Sequence, residues 1–296
     1  MGDQVLVKFG GRGTGARRVL DTLLPMLLSI GLFIAVAVVV SLLLSVVSRG
    51  AHRLSWHLIT QYPSANPAEA GMRSAILGSI YTVGLAAAIC IPLSIATALY
   101  LEEYARGSKL SQILSYNIAN LAGVPSIIFG VVGLGFLAYG LGMGRTIITG
   151  AFTLAILILP LVTVVCVEAI RTIPSDLKYG SYALGATTFQ TIRWIILPRA
   201  LPMMLTGGIL GISRALGEAA PILVVSGLLF ISEDPTSLFS KFTVMPLQLY
   251  NWISRPQQAF IELSSAGIIV LLLILLALNL SAIVLREYLT RRVGQS

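Results

Sequence analysis

Long stretches without a charged side chain dominate this sequence. Five of them exceed the roughly 20 residues that a helix needs to cross a bilayer, namely residues 22–48, 74–101, 110–144, 146–167 and 263–285. A sixth apolar stretch, 203–230, is interrupted by Arg214 and Glu218. Because only 11% of the residues are charged and 56% are hydrophobic, a water-soluble domain is excluded. The sequence predicts an all-α, polytopic membrane protein with six transmembrane helices.

Basic residues indicate how these spans are oriented. If the N-terminus is cytoplasmic, 13 of the 20 Lys and Arg residues face the cytoplasm and 6 face outward, with Arg214 left inside the membrane. The cytoplasmic set is Lys8, Arg12, Arg17, Arg18, Arg106, Lys109, Arg171, Lys178, Arg193, Arg199, Arg286, Arg291 and Arg292. Cytoplasmic loops are enriched in Lys and Arg, so we expect both termini in the cytoplasm. Anionic membrane lipid then accounts for the net charge of +8, and no nucleic-acid partner is expected.

The chain is predicted to have two regions, a basic cytoplasmic tail at 1–20 and a single transmembrane domain at 21–292. The tail contains the string GGRGTG, which invites comparison with a phosphate-binding loop. Such a loop requires Gly-Lys followed by Ser or Thr, whereas the four lysines of this chain are followed by Phe, Leu, Tyr and Phe. The sequence therefore predicts no nucleotide site, and any ATP must be bound by another polypeptide.

No metal or redox cofactor is expected either. His52 and His57 have no set of Cys or carboxylate residues around them that would complete a metal site. Cys90 and Cys166 both fall inside predicted spans, where lone thiols act as small packing residues.

A polar segment within the predicted cytoplasmic loop 171–200 has a pattern of its own. Its signals, in chain order, are a helix start at Pro174-Ser175-Asp176, a stop at Gly185, a cap at Thr187 or Thr188, and an end at Leu197-Pro198. These signals predict a helix, a corner and a second helix. Two interpretations follow: a surface on which another protein docks, or an amphipathic hairpin lying on the membrane.

The charges inside the sixth stretch indicate a buried ion pair or an anion path. A charge at the centre of a bilayer costs about 2.5 to 3.5 kcal/mol, so it needs a partner or a polar interior. Arg214 and Glu218 are four residues apart and can reach each other. A guanidinium can also bind two oxygens of an oxyanion, for which Ser213, Gly217 and Pro221 would leave room. Both interpretations remain open, and the residues alone do not identify the anion.

Several motifs in the same order resemble one family. The loop carries Gly185, Ile195, Leu197 and Pro198 at the spacing of the cytoplasmic loop of ATP-driven importers, but Tyr179, Gly180 and Ser181 stand where that loop has Glu-Ala-Ala. Further matches are GVPSIIFG at 123–130, RALGEAAPI at 214–222, FTVMPLQLYNW at 242–252 and NLSAIVLREYLTRR at 279–292. From about residue 70 to 292, the chain resembles the phosphate-specific ABC importer permeases of the PstA type.

The resemblance implies a type I ABC importer permease fold in a bacterial or archaeal plasma membrane. It also implies a PstC-type permease as partner, two PstB-type subunits that bind and hydrolyse ATP, and a PstS-type phosphate-binding protein. This chain would then bind no cofactor and catalyse no covalent chemistry. Arg214, Glu218 and Ser213 would line the substrate path, and the ATPase would contact Tyr179, Gly180, Ser181, Gly185, Ile195, Leu197 and Pro198. The loop 231–265, with Tyr250 and Trp252, would face the binding protein or anchor the chain at the membrane surface.

Other functions are compatible with parts of this pattern. A permease for phosphonate, sulfate or molybdate would share the fold and the membrane arginine. An ATP-independent anion transporter or channel would also place Arg214 in the membrane, but it has no need of the patterned cytoplasmic loop. A membrane scaffold without transport activity would tolerate loss of the Arg214 charge.

Overall fold

The structure, a computed structural model, describes residues 15–293 and the side chains of residues 23–289. Within this range the regular elements are helices, and no strand occurs. In chain order they are α1 (Gly15–Gly50), α2 (Trp56–Thr60), α3 (Arg73–Leu99), α4 (Lys109–Ala122), α5 (Ser126–Val132), α6 (Ile147–Arg171), α7 (Ser175–Ala183), α8 (Thr188–Thr191), α9 (Leu197–Gly217), α10 (Ala220–Ser226), α11 (Met245–Ile253) and α12 (Gln258–Val293). The predicted all-α fold class is confirmed.

Three wider, π-helical turns extend these helices. Tyr100–Tyr104 continues α3, Gly133–Gly140 continues α5, and Ile192–Ile196 joins α8 to α9. The predicted helix end at Leu197-Pro198 is therefore wrong, since residues 188–217 form one helical segment. The ring of a proline normally clashes with the carbonyl four residues earlier, and the π-helical turn just before Pro198 gives that carbonyl room.

The spans agree in number with the prediction but differ in detail. Five helical segments are long and apolar enough to cross a membrane: Leu23–Arg53, Arg73–Tyr104, Ile147–Arg171, Thr188–Gly217 and Gln258–Leu289. The predicted span 110–144 is not straight, because α4 and the segment Ser126–Gly140 meet at an angle of 104°. Pro125, which lacks a backbone N–H, stands at this break and adopts an extended backbone. Counted as one broken span, this pair completes the predicted six.

The stretch 203–230 is also broken. Helix α9 ends at Gly217, and Glu218 adopts an extended backbone with φ −80° and ψ 116°. The chain becomes helical again in α10, where Pro221 lies in the first turn and its missing N–H leaves no bond unmade. One of the two charges predicted in mid-span thus lies at a gap between helices.

The chain separates into two units, of which the first ends at Arg49 and the second begins at Gly50. Most of the predicted tail falls at residues 1–14, outside the described residues, and α1 begins at Gly15 within the remainder. The apolar side chains of α1 from Leu23 onward are largely exposed. Such a surface suits contact with lipid or with another membrane protein.

The core of the second unit lies between α3, α6 and α9. Buried Ala86, Cys90, Ile158, Cys166 and Met204 belong to it, and both cysteines are free thiols, in agreement with their predicted packing role. Close approach of α9 to α6 depends on glycine. A methyl group added at Gly207 or at Gly211 would come within 2.6 Å of a valine of α6. Small residues at a helix interface allow such packing where both helices are surrounded by lipid.

A second core lies where α2, α11 and the start of α12 meet. It contains Leu58, Met72, Trp252 and Phe260, all of which are fully buried. The prediction that Trp252 anchors the chain at the membrane surface or faces a binding protein is therefore wrong, because its ring packs inside this cluster. Tyr250, two residues earlier, is about half exposed.

Candidate functional site

The predicted helix–corner–helix at Pro174–Pro198 is present, and we call Pro174–Thr191 the docking hairpin. Helix α7 is followed by Gly185, whose φ of +85° belongs to the left-handed region that favours glycine. Thr187 then caps α8 in a reciprocal arrangement with Gln190. The Gln190 N–H donates to Thr187 Oγ1 at 3.3 Å, and the Thr187 N–H donates to Gln190 Oε1 at 2.8 Å. The sequence signals at this corner are confirmed.

The seven predicted coupling residues lie in different environments. Tyr179, Gly180, Gly185 and Pro198 are exposed, whereas Ile195 and Leu197 are partly buried. Ser181 is buried inside the hairpin, where its hydroxyl lies 2.8 Å from the Thr191 hydroxyl and joins the two arms. The structure therefore brings most of these residues to one exposed end but assigns Ser181 an internal contact.

The tip of the docking hairpin is apolar. Leu184 is 91% exposed, and the neighbouring rings of Tyr179, Phe189 and Trp194 are largely exposed as well. A shallow groove of about 380 Å³ lies beside the tip, lined by Leu184, Gly185 and Trp194 among others. Exposed apolar clusters of this kind mark contact surfaces. In the motif comparison, Tyr179 stands where the importer loop has the Glu of Glu-Ala-Ala. The sequence did not predict that Tyr179, Phe189 and Trp194 would be exposed together.

Two adjacent carboxylates at the end of α3 hold the base of the hairpin. Lys178 of α7 donates to Glu103 Oε1 at 2.5 Å, and the two side chains are only 11% and 5% exposed. Arg171, at the end of α6, lies 2.8 Å from Glu102 and 3.1 Å from Glu168. The sequence did not indicate Lys178, Glu102 and Glu103 as a group. No local signal could pair Lys178 with Glu103, because 75 positions separate them.

A cleft of about 730 Å³ lies next to this group. Its walls come from the end of α3, the first half of α4, the end of α6 and the start of α7. Arg106, Gln112 and Ser175 contribute polar side chains to it. The side of α7 that lines this cleft is not packed against another helix.

The pair Arg214–Glu218 is present but loose. Arg214 Nε lies 3.5 Å from Glu218 Oε1, and the side chains are 45% and 20% exposed. Arg214 contributes to the wall of a cavity of about 40 Å³ together with Leu121, Ser126 and Leu157. Because the Arg214 side chain is nearly half exposed, its guanidinium remains open to a ligand.

Both helix breaks meet at this pair. The break between α4 and α5 contributes Ala122 and Val124 to the cavity beside Arg214. Glu218 itself forms the break between α9 and α10. The opposite wall comes from Leu157 and Leu161. These leucines lie near the middle of α6, so Arg214 is at about half the depth of that span.

Ser213 does not join this arrangement. Its hydroxyl donates to Asn279 Oδ1 of α12 at 3.0 Å and so is committed to a helix contact. The structure thus brings together Arg214 and Glu218 but not the third predicted path residue. Among the described residues, no group of three or more His, Cys, Asp or Glu could hold a metal ion.

Comparison with known proteins gives a family match over most of the chain. Residues 90–295 match the family described as "Binding-protein-dependent transport system inner membrane component". The probable ABC transporter permease protein YqgI of Bacillus subtilis is 31% identical over 278 residues, covering 90% of this chain and 95% of that protein. The phosphate transport system permease protein PstA 1 of Mycobacterium tuberculosis is 33% identical over 223 residues, covering 75% of this chain and 72% of that protein. These relatives confirm the resemblance that the motifs indicated.

Solved structures show a similar fold. A bacterial alginate ABC transporter, crystallised with an alginate-bound periplasmic protein, contains a chain that superimposes with a TM-score of 0.66. The match covers 95% of this chain and 99% of that one at 15% identity. At this identity the likeness concerns the fold alone, and it confirms the predicted importer permease architecture.

Proposed function

The chain belongs to the family of binding-protein-dependent transport system inner membrane components, and from that premise we propose that it is a permease subunit of a phosphate importer. As a member of this family it is a multi-pass membrane subunit of an ABC importer, and a separate subunit hydrolyses ATP. The proposal adds the substrate, the path and the contact with the ATPase. The observation that carries it is the half-exposed Arg214, which lies at mid-depth where two broken helices meet.

Broken helices at mid-membrane depth suit ion binding. At each break, backbone groups that have no partner in the helix are free to contact a solute. Arg214 adds a planar cation that can bind two oxygens of a tetrahedral oxyanion at once. Its pairing with Glu218 at 3.5 Å is loose enough to be exchanged for such a ligand. We infer that the anion passes this arginine on its way across the membrane.

Glu218 favours phosphate over sulfate and molybdate. Near neutral pH phosphate keeps at least one O–H group, which can donate to a carboxylate, whereas sulfate and molybdate are acceptors only. A carboxylate accepts but does not donate when it is ionised. Beside Arg214, Glu218 would therefore bind the protonated oxygen of phosphate and repel the fully ionised anions. The PstA-type relatives support the same choice.

The docking hairpin supplies the contact with the ATPase. Its apolar tip, formed by Leu184, Tyr179 and Phe189, would enter a cleft in a PstB-type subunit together with the neighbouring ring of Trp194. Because the acidic lead of the family loop is absent, this contact would rest on apolar burial rather than on charge. The complete importer would contain a PstC-type permease, two PstB-type subunits and a PstS-type binding protein. Both termini of this chain would then lie in the cytoplasm.

Uptake in vesicles tests the proposal. The complete complex would be reconstituted, and ATP-dependent uptake of phosphate measured with phosphonate, sulfate and molybdate as competitors. We expect phosphate uptake that requires ATP, and a loss of about tenfold or more in Arg214→Gln, equivalent to about 1.4 kcal/mol of lost transition-state binding. Hydrolysis of ATP and assembly should persist in this variant.

Each alternative gives a different result. Uptake that ignores ATP would identify a secondary transporter or channel, and preferred uptake of another oxyanion would replace phosphate as the substrate. If Arg214→Gln imports phosphate at the wild-type rate, Arg214 is structural and the path runs elsewhere. Arg199→Gln, a variant of an exposed arginine on the same helix, serves as the control.

A further inference from the structure

Helix α7 is held to the spans in an unusual way. It is connected through the chain to α6, and its Ser181 joins it to α8 within the hairpin. Its remaining face borders the cleft of about 730 Å³, so packing does not fix it on that side. Among the described residues, the contact between Lys178 and Glu103 is the hydrogen bond or ion pair that links α7 to α3.

The distance between Lys178 and Glu103 should change little when the hairpin moves, because the pair is short and buried. Both side chains are almost fully buried, and the donor–acceptor distance is 2.5 Å. A buried charge cannot leave its partner for water without losing most of its stabilisation, whereas an exposed pair exchanges freely. Next to it, Glu102 binds Arg171 and so ties the same end of α3 to α6. The two adjacent carboxylates thus join α3, α6 and α7.

The two arms of the docking hairpin connect to different spans. The second arm, α8, continues without interruption through the π-helical turn into α9. Any movement of that arm reaches α9 directly along the helix. The first arm, α7, has no such continuity with α3. We propose that the Lys178–Glu103 pair is a strut that transmits movement of the docking hairpin to α3, so that α3 and α9 move together. This inference requires an ATPase docked on the hairpin, as the proposed function does, but it does not depend on the substrate.

Removing both charges tests the strut without leaving one buried charge unpaired. The double variant Lys178→Met/Glu103→Leu replaces the pair by apolar side chains of similar size, and Lys178→Glu/Glu103→Lys reverses it. In the reconstituted complex, we expect the double variant to assemble and hydrolyse ATP, while the number of phosphate ions imported per ATP falls by about tenfold. The reversed pair should recover most of that ratio. Lys109→Met, at an exposed lysine outside the docking hairpin, is the control and should behave as the wild type.

Two results would overturn the strut. One is import per ATP at the wild-type ratio in the double variant. The other is a reversed pair that performs no better than the double variant, which would mean that an ion pair at this position does not couple α7 to α3.

A distance measurement separates this inference from the choice of substrate. Spin labels at Tyr104→Cys and Asp176→Cys, with Cys90 and Cys166 replaced by Ala, report the separation of the end of α3 from α7. We expect this separation to be the same with and without ATP in the complex with the native pair, and to change with ATP in the double variant. Equal behaviour of the two complexes would refute the strut, even if the importer proves to carry a different anion. A complex that imports no phosphate would refute the proposed substrate and leave this readout intact.

Discussion

Two of the ion pairs in the described part of this chain stand in contrast. At the docking hairpin, Lys178 and Glu103 come from distant parts of the sequence, lie 2.5 Å apart and are shielded from solvent. At the helix breaks, Arg214 and Glu218 are four residues apart, lie at 3.5 Å and are partly open. The first pair connects α7 to the end of α3. The second connects nothing beyond its own segment and leaves the guanidinium available.

The contrast separates two uses of charge in a membrane protein. A pair that is buried and links two elements is costly to break, because either charge left alone is unsolvated. A loose and accessible pair loses little when one member turns to a ligand. The hairpin end therefore suits transmission of force, and the mid-depth breaks suit exchange of an anion. The predictions below test this division through stability and selectivity.

The largest effect is expected from breaking the buried pair on one side. Lys178→Met leaves Glu103 buried without a partner, so the free energy of unfolding should fall by about 3 to 5 kcal/mol. Thermal unfolding of the purified complex would measure this loss. Lys109→Met, a change at an exposed lysine, should have almost no effect. If Lys178→Met and Lys109→Met have the same free energy of unfolding, water reaches the Lys178–Glu103 pair. That pair would then not differ from Arg214–Glu218 in its shielding from solvent.

A smaller effect is expected at the corner of the docking hairpin. Gly185→Ala puts a side chain on a residue with φ +85° and should cost about 1 to 2 kcal/mol in backbone strain. The added methyl group would meet no atom within 4 Å, so strain alone is measured.

Gly180→Ala is the matched control for this corner. It also meets no atom within 4 Å but lies inside α7, where alanine should stabilise by about 0.5 to 1 kcal/mol. Opposite signs for the two variants in the same unfolding assay would show that the corner depends on the left-handed backbone of Gly185. Equal signs would contradict it.

The smallest change in stability is expected at the loose pair. Glu218→Gln should alter the free energy of unfolding by less than about 1 kcal/mol, because the pair is partly exposed. Its effect should appear in selectivity instead. The amide of glutamine can donate to sulfate, so inhibition of phosphate uptake by sulfate should strengthen by about tenfold, as gain of one hydrogen bond predicts.

Competition between the two anions in vesicles would measure this shift in selectivity. Glu69→Gln, at an exposed glutamate, should leave it unchanged. A variant that keeps wild-type selectivity but loses several kcal/mol of stability would place Glu218 with the buried pair.

The sequence could predict the spans because their signal is local. A charge in the bilayer is costly wherever it occurs, so its absence over 22–48 or 263–285 is enough to mark a helix. The breaks were not predictable in the same way. Pro92 and Pro160 lie inside α3 and α6 without ending them, whereas Pro125 stands at a bend of 104°. Whether a proline stays within a continuous helix or stands at a bend depends on the neighbouring helices. The local sequence around the proline does not specify where those helices lie.

The two ion-pair sites also differ in whether their contacts are local in the sequence. Arg214 and Glu218 could be paired from the sequence because four residues in a helical segment bring them together. Glu102 has the same spacing to Arg106, yet it binds Arg171, 69 positions away. A contact of that kind depends on how α3 and α6 pack. Local spacing therefore found the loose pair and missed the group that holds the hairpin.

The π-helical turn Tyr100–Tyr104 has a consequence for the history of this protein. Such a turn is equivalent to an α-helix into which one extra residue has been inserted. Deleting that residue would restore the regular helix and rotate everything beyond it by about 100°, so that Glu102 and Glu103 would leave their partners. A deletion of one residue in this turn should therefore break both contacts at once, whereas a substitution changes only the contacts of the residue replaced. Relatives that lack the extra residue should carry their acidic side chains one position away, a difference that an alignment of such sequences would display directly.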